Sequence, residues 1–77
     1  MEKLIELLRS VRSDIDFSLQ EKLVDDGLLD SFDIISIISE VNDVFDIEIS
    51  ADDITAENFN SAHSIFQLIQ AYKNRNK

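Results

Sequence analysis

The sequence predicts an all-α fold: a small bundle of three main helices plus one short helix, with a long loop between the first two. Three observations lead there. The chain of 77 residues contains no proline and one glycine, so an all-β design would lack its turn residues. Apolar residues recur at helical spacing in three separate stretches. A polar, acidic segment longer than most helix–helix connections separates the first two. At this length the chain reads as one domain, residues 1–77, near the size at which a single core is only marginally sufficient.

Glu2 to Val11 is the first helix, since Leu4, Ile5, Leu7, Leu8 and Val11 fall on one face. Glu2 and Glu6 come early and Arg9 and Arg12 late, the order that suits the helix dipole. The connection from Ser13 to Leu29 carries Ile15, Phe17, Leu19, Leu23 and Leu28, side chains able to tack it to the core. Gly27 predicts a turn near its end. The second helix runs from about Ser31 to Phe45, with Asp30 as N-cap and Asp33 at the capping-box position, where Glu or Gln is more usual. Ile34, Ile37, Ile38, Val41, Val44 and Phe45 gather on one of its faces; Asp33, Ser36, Ser39, Glu40 and Asp43 gather on the other. Phe32 lands on the polar side, beside Ser31.

Asp46-Ile47-Glu48-Ile49 alternates over too few residues for a strand, and Ser50 can cap a single turn over Ala51–Ile54. Asn60 or Ser61 can cap the last helix, whose Ile65, Leu68, Ile69 and Tyr72 form a stripe flanked by Phe66. Lys73, Arg75 and Lys77 close it with the sign the dipole favours.

The composition, 44% hydrophobic and 30% charged, is that of a globular chain. Without cysteine it forms neither disulfide nor thiolate metal site. No apolar run approaches a membrane span and no signal-peptide pattern opens the chain, so a monomeric cytoplasmic protein without membrane insertion is expected. The formal charge is −9, and all seven Lys and Arg residues lie at or before Lys22 or at or after Lys73. That acidic middle repels phosphate backbones and excludes nucleic acid as a partner, while steering the chain toward basic protein surfaces. It also predicts that added salt stabilises the fold by screening self-repulsion.

Catalysis finds no support. The sole histidine, His63, lies far along the chain from Ser31, and no nucleophile elbow, phosphate-binding glycine loop or HExxH pair is present. The acid-rich run Asp43–Asp53 lacks the ligand alternation and central glycine of an EF-hand loop, so no metal site is expected. What stands out is Ser31, a hydroxyl at a helix start among carboxylates, with no nearby side chain to activate it. Such a serine is poorly equipped as a nucleophile of its own enzyme and well placed as the substrate of another. Since Asp30 can do the capping, Ser31 is not needed for that task. On the residues alone, an ordinary early-helix serine and a functional one are both admissible.

Asp26-Gly27-Leu28-Leu29-Asp30-Ser31-Phe32-Asp33, followed by Ile37-Ile38, Glu40-Val41, Phe45-Asp46-Ile47-Glu48-Ile49 and an apolar terminal helix, resembles an acyl carrier protein. The resemblance extends from Leu4 to Tyr72. It implies an acyl-carrier-like bundle in which Ser31 receives 4′-phosphopantetheine from coenzyme A through a phosphopantetheinyl transferase, and the thiol of that arm carries acyl or aminoacyl thioesters. It further implies that Asp30 and Phe32 belong to the attachment site, Phe32 standing where the family usually has leucine or methionine. Asp33, Glu40, Asp43, Asp46 and Glu48 would meet basic patches on partners: a loading ligase, and acyltransferase or synthase enzymes of lipid or fatty-acid biosynthesis. Two departures bear on the subfamily. Ser50 replaces the proline typical of fatty-acid carriers, and Gly-Leu-Leu-Asp-Ser is one residue longer than the usual Gly-x-Asp-Ser, resembling D-alanyl carriers and other stand-alone carriers. The alternative from another class is an acidic helical protein–protein interaction module with no prosthetic group.

Overall fold

The computed structural model describes residues 2–75. The elements run α1 (Glu2–Val11), α2 (Ser31–Phe45), α3 (Ala56–Phe59) and α4 (Ala62–Arg75), with a 3-10 turn at Ala51–Asp53; among the described residues there is no strand. The three long helices begin and end where their apolar periodicity does. Lys73 and Arg75 occupy the last turn of α4, while Lys77 lies outside the described residues.

Helix α1 packs against both α2 and α4. Its Leu4, Leu7 and Leu8 meet Ile37 and Val41 of α2 and Ile65, Leu68, Ile69 and Tyr72 of α4 in one core. The loop between α1 and α2 adds Ile15, Phe17, Leu23 and Leu29 to it, with Leu28 half-buried. Leu19, expected to help tack that loop down, is 75% exposed instead. The amides of Leu19 and Gln20 both donate to the Asp16 carbonyl, making a turn of helical sense. Two residues apart in such a turn point to nearly opposite sides, so burying Phe17 sends Leu19 outward. Gly27 has φ +73°, the left-handed turn conformation glycine adopts without strain.

After α2 the chain turns at Asp46, which sits in the left-handed region at φ 56° as the C-cap. The next residues realise the predicted alternation without pairing: Ile47 and Ile49 are buried, Glu48 exposed. Asn42 holds this segment, accepting Ile47 N–H on its carbonyl at 3.1 Å and Ile49 N–H on its side chain at 3.0 Å. Ser50 caps a turn one residue shorter than expected, its hydroxyl accepting Asp52 N–H at 3.3 Å.

One helix was not anticipated. Ala56–Phe59 is α3, capped by the Thr55 hydroxyl on Asn58 N–H at 3.2 Å, and it drives Phe59 fully into the core. Of the two possible caps for the last helix, Ser61 takes the duty: its hydroxyl accepts Ser64 N–H at 3.0 Å. Asn60 becomes a clamp. Its carbonyl accepts Leu23 N–H at 2.8 Å, and its side-chain oxygen accepts Val24 N–H and Asp25 N–H at 3.0 Å each. The loop leading to Ser31 is thereby fastened to the joint between α3 and α4.

Candidate functional site

Ser31 opens α2 and is exposed. Its setting is built by a reciprocal capping box: Asp33 N–H donates to Asp30 Oδ1 at 2.9 Å, and Asp30 N–H donates to Asp33 Oδ2 at 3.2 Å. Two orphan amides at the helix start are satisfied without the Ser31 hydroxyl. Asp33 fills the position a longer glutamate usually takes.

Two carboxylates in so close an exchange would repel, and a cation meets one of them. Arg12, just beyond α1, donates through Nη1 to Asp33 Oδ2 at 2.6 Å and to the Leu28 carbonyl at 3.2 Å. Its Nε and Nη2 grip Asp14 side-on at 2.9 Å each. These partners raise the guanidinium pKa, Asp14 first and Asp33 second, and the Arg12 hydrogen bonds hold Asp14 below the usual carboxylate range. Asp33 is therefore enclosed, its side chain 15% exposed, and serves the helix start before it could serve a partner. Sequence reasoning placed it on the polar face but did not see Arg12; the absence of lysine and arginine from Leu23 to Tyr72 was the available sign that a cation would come from elsewhere.

Beside Ser31 lies an open depression of about 460 Å³, lined by Val24, Leu29, Ile34, Ile35 and Ile54 along with Asp30 and Ser31. Phe32 is 81% exposed, as its position on the polar face predicts, and Ile35 is 63% exposed. Ile54, from the far side of the 3-10 turn, is exposed as well. None of the three is covered, so apolar surface surrounds a hydroxyl that is free of the cap. Ile35 and Ile54 were not singled out in the sequence, because a helix stripe and a one-turn element do not reveal which of their residues border the same hollow.

Glu40, Asp43, Asp46 and Glu48 are all exposed along and beyond α2. The last turn of that helix holds no basic residue. His63 stands at the start of α4 and borders a different hollow, with Ile5, Phe17 and Ser18. Among the described residues no group of three or more His, Asp or Glu side chains could hold a metal ion, and no helix is long and apolar enough to cross a membrane.

No protein-family model matches the chain, and no solved structure matches it significantly. Curated relatives do. The D-alanyl carrier protein of Streptococcus equi subsp. zooepidemicus (strain MGCS10565) is 31% identical over 62 residues, 80% of this chain and 78% of the relative. That of Streptococcus equi subsp. equi (strain 4047) matches to the same extent. These relatives are named as carriers rather than as enzymes. An arrangement of four helices and no strand among the described residues, an exposed serine at the head of an acidic helix, and that identity across most of both chains make this protein a non-catalytic carrier protein of the acyl carrier family.

Proposed function

We propose that Ser31 carries a 4′-phosphopantetheine arm, transferred from coenzyme A by a phosphopantetheinyl transferase, and that the protein hands an acyl or aminoacyl group between partner enzymes in the cytoplasm. The observation that carries this reading is the Ser31 hydroxyl itself: exposed, relieved of capping by Asp30, and bordered by open apolar surface. The residues present suit the group. A phosphodiester on Ser31 Oγ would sit at the N-terminus of a 15-residue helix, where the dipole favours negative charge. The depression beside it offers isoleucine, leucine and valine side chains to the aliphatic part of an arm. When bound, the arm supplies the thiol that the chain, having no cysteine, does not.

Phe32 and Ile35 form the apolar centre of the surface offered to the transferase, and Glu40, Asp43, Asp46 and Glu48 supply its acidic rim. Exposed pairs contribute about 0.2–1 kcal/mol each, so docking is brief and salt-sensitive, as a shuttle needs. Asp33 contributes through the helix start it holds. The D-alanyl carrier relatives favour an aminoacyl cargo over a long acyl chain, with an aminoacyl-loading ligase as the partner that charges the arm.

Intact-mass spectrometry after incubation with coenzyme A, magnesium and a broad-specificity phosphopantetheinyl transferase tests the reading. The expected result is a gain of one phosphopantetheine by the wild-type protein and none by Ser31→Ala, with both folded. No gain by the wild type, against a control carrier that is modified in the same tube, would refute it.

A further inference from the structure

Arg12 makes one connection that no other side chain in the described residues makes. Its guanidinium reaches both ends of the long loop, Asp14 just after α1 and the Leu28 carbonyl just before α2, and continues into α2 through Asp33. The Asp33 oxygen it holds, Oδ2, is the oxygen that accepts Asp30 N–H, and the Asp33 amide in turn donates to Asp30 Oδ1. The contacts therefore run from Arg12 to Asp33 to Asp30, and Ser31 lies inside that ring of bonds. Holding the Leu28 carbonyl also fixes the entry of Leu29 and Asp30 into the helix, and Leu29 is a wall of the depression beside Ser31.

A planar fork is needed for this. Nε and Nη2 are committed to one carboxylate while Nη1 serves a second carboxylate and a carbonyl. A lysine ammonium could match the charge but not the three bearings at fixed angles. Resting on the carrier reading above, we propose that Arg12 is a positioning residue for the modification of Ser31: by clamping Asp33 and the Leu28 carbonyl, it sets the helix start in the one geometry that presents the Ser31 hydroxyl to the transferase. A fastener that merely added stability would be replaceable by any group contributing equally to the fold. A positioning residue is not, because a displacement at the reacting atom costs rate in a protein that remains folded.

The test measures kcat and KM for coenzyme A-dependent modification, by intact mass, in the full chain carrying Arg12→Gln, Arg12→Lys, Asp33→Asn or Arg12→Gln with Asp33→Asn. Arg9→Gln controls for the loss of one positive charge at the same end of α1. Each variant is assayed at a temperature where its melting curve shows it folded, and Arg12→Lys, which keeps the charge balance, carries the test if Arg12→Gln does not fold. The expected result is a loss of roughly tenfold in Arg12→Gln, chiefly in kcat, with little rescue by lysine. The double variant should be no slower than the slower single one, since both break the same chain of contacts. Arg9→Gln should match the wild type. Wild-type rates in folded Arg12→Gln and Arg12→Lys, or additive losses in the double variant, would overturn the role of Arg12 alone. A wild-type protein that gains no mass would instead overturn the carrier reading and this role with it.

Discussion

Removing the Asn60 side chain should loosen the loop that delivers Ser31 without touching Ser31. Asn60→Ala deletes an acceptor shared by Val24 N–H and Asp25 N–H, both at 3.0 Å, and a donor to the Asp25 carboxylate at 3.1 Å. The backbone bond from Leu23 N–H to the Asn60 carbonyl survives in principle, because it needs no side chain. The Val24 amide is partly buried and regains water poorly, so its loss costs about 1–1.5 kcal/mol; the more exposed Asp25 contacts add about 0.5 kcal/mol together. The sum is about 2 kcal/mol. Against a total of about 4–12 kcal/mol for a domain this size, the melting temperature should fall by about 8–16 °C. Urea melts followed by circular dichroism give the stability directly. Amide exchange gives the locality: Leu29 N–H, bonded to the Leu23 carbonyl at 3.0 Å, should exchange faster relative to the amides of α1. Asn60→Asp keeps the acceptor but opposes the Asp25 carboxylate, and should also destabilise at neutral pH. A loss below about 0.5 kcal/mol in Asn60→Ala, with Leu29 exchange unchanged, would refute the clamp.

Other outcomes follow from the charges. Reversing Glu40 and Asp43 to lysine should slow partner transfer by about tenfold at low salt, through the association rate, with the difference shrinking as salt is added; stopped-flow rates unchanged at low salt would remove α2 as the docking face. Asp46→Asn should stabilise by about 0.3–1 kcal/mol in urea melts, since a carboxylate at a helix C-terminus opposes the dipole, and Asp46→Gly should also relieve the left-handed backbone. Acid should destabilise the fold through Asp14, held low by Arg12, and Asp16, held low by the Ser18 hydroxyl at 2.5 Å. Their contribution is present above the unfolded carboxylate pKa of about 3.9 and is lost as the pH falls through their depressed folded values. Asp14→Asn with Asp16→Asn should flatten that acid limb of the stability curve.

The parts of this fold legible in the sequence are those in which one periodicity decides the outcome. Leu4, Leu7 and Leu8 or Ile65, Leu68 and Ile69 declare a helix face whatever lies opposite, and Asp30 followed three residues later by Asp33 declares a helix start. The illegible parts depend on partners distant in sequence. Four residues of α3 are too few to show a period, and Thr55 with Asn58 is a weak cap signal without knowledge that Phe59 is wanted in the core. Leu19 and Phe17 look alike as loop hydrophobes until the turn at Asp16 separates them. Arg12 is unremarkable as a basic residue near a helix C-terminus; only the return of the chain shows that it serves the next helix instead. The serine was legible and its surroundings were not, because Ile54 and Val24 reach it through tertiary structure alone.

Helix α2 gathers several departures from local rules, and that concentration bears on function. In α1 the acid lies in the first turn and the base in the last, and α4 ends in Lys73 and Arg75, as the dipole asks. Helix α2 does the reverse at its end: no base in its last turn, Asp43 and Asp46 there, and Asp46 forced into a backbone region that L-residues avoid. At its start it leaves Phe32 and Ile35 uncovered, and Val44 near its end is exposed although the periodicity puts it on the apolar face. Each feature lowers stability by a fraction of a kcal/mol to about 1 kcal/mol, in a domain with little to spare. Random drift would scatter such departures over the surface. Their concentration on the helix that bears Ser31 is what a transient binding face would produce, since apolar area and like charge left unsatisfied in the free protein are satisfied only by a partner with an apolar centre and a basic rim. Arg12 pairs with the largely enclosed Asp33 and not with the exposed Glu40, Asp43 or Asp46: there it orders the helix start and leaves the exposed acids to draw a partner in.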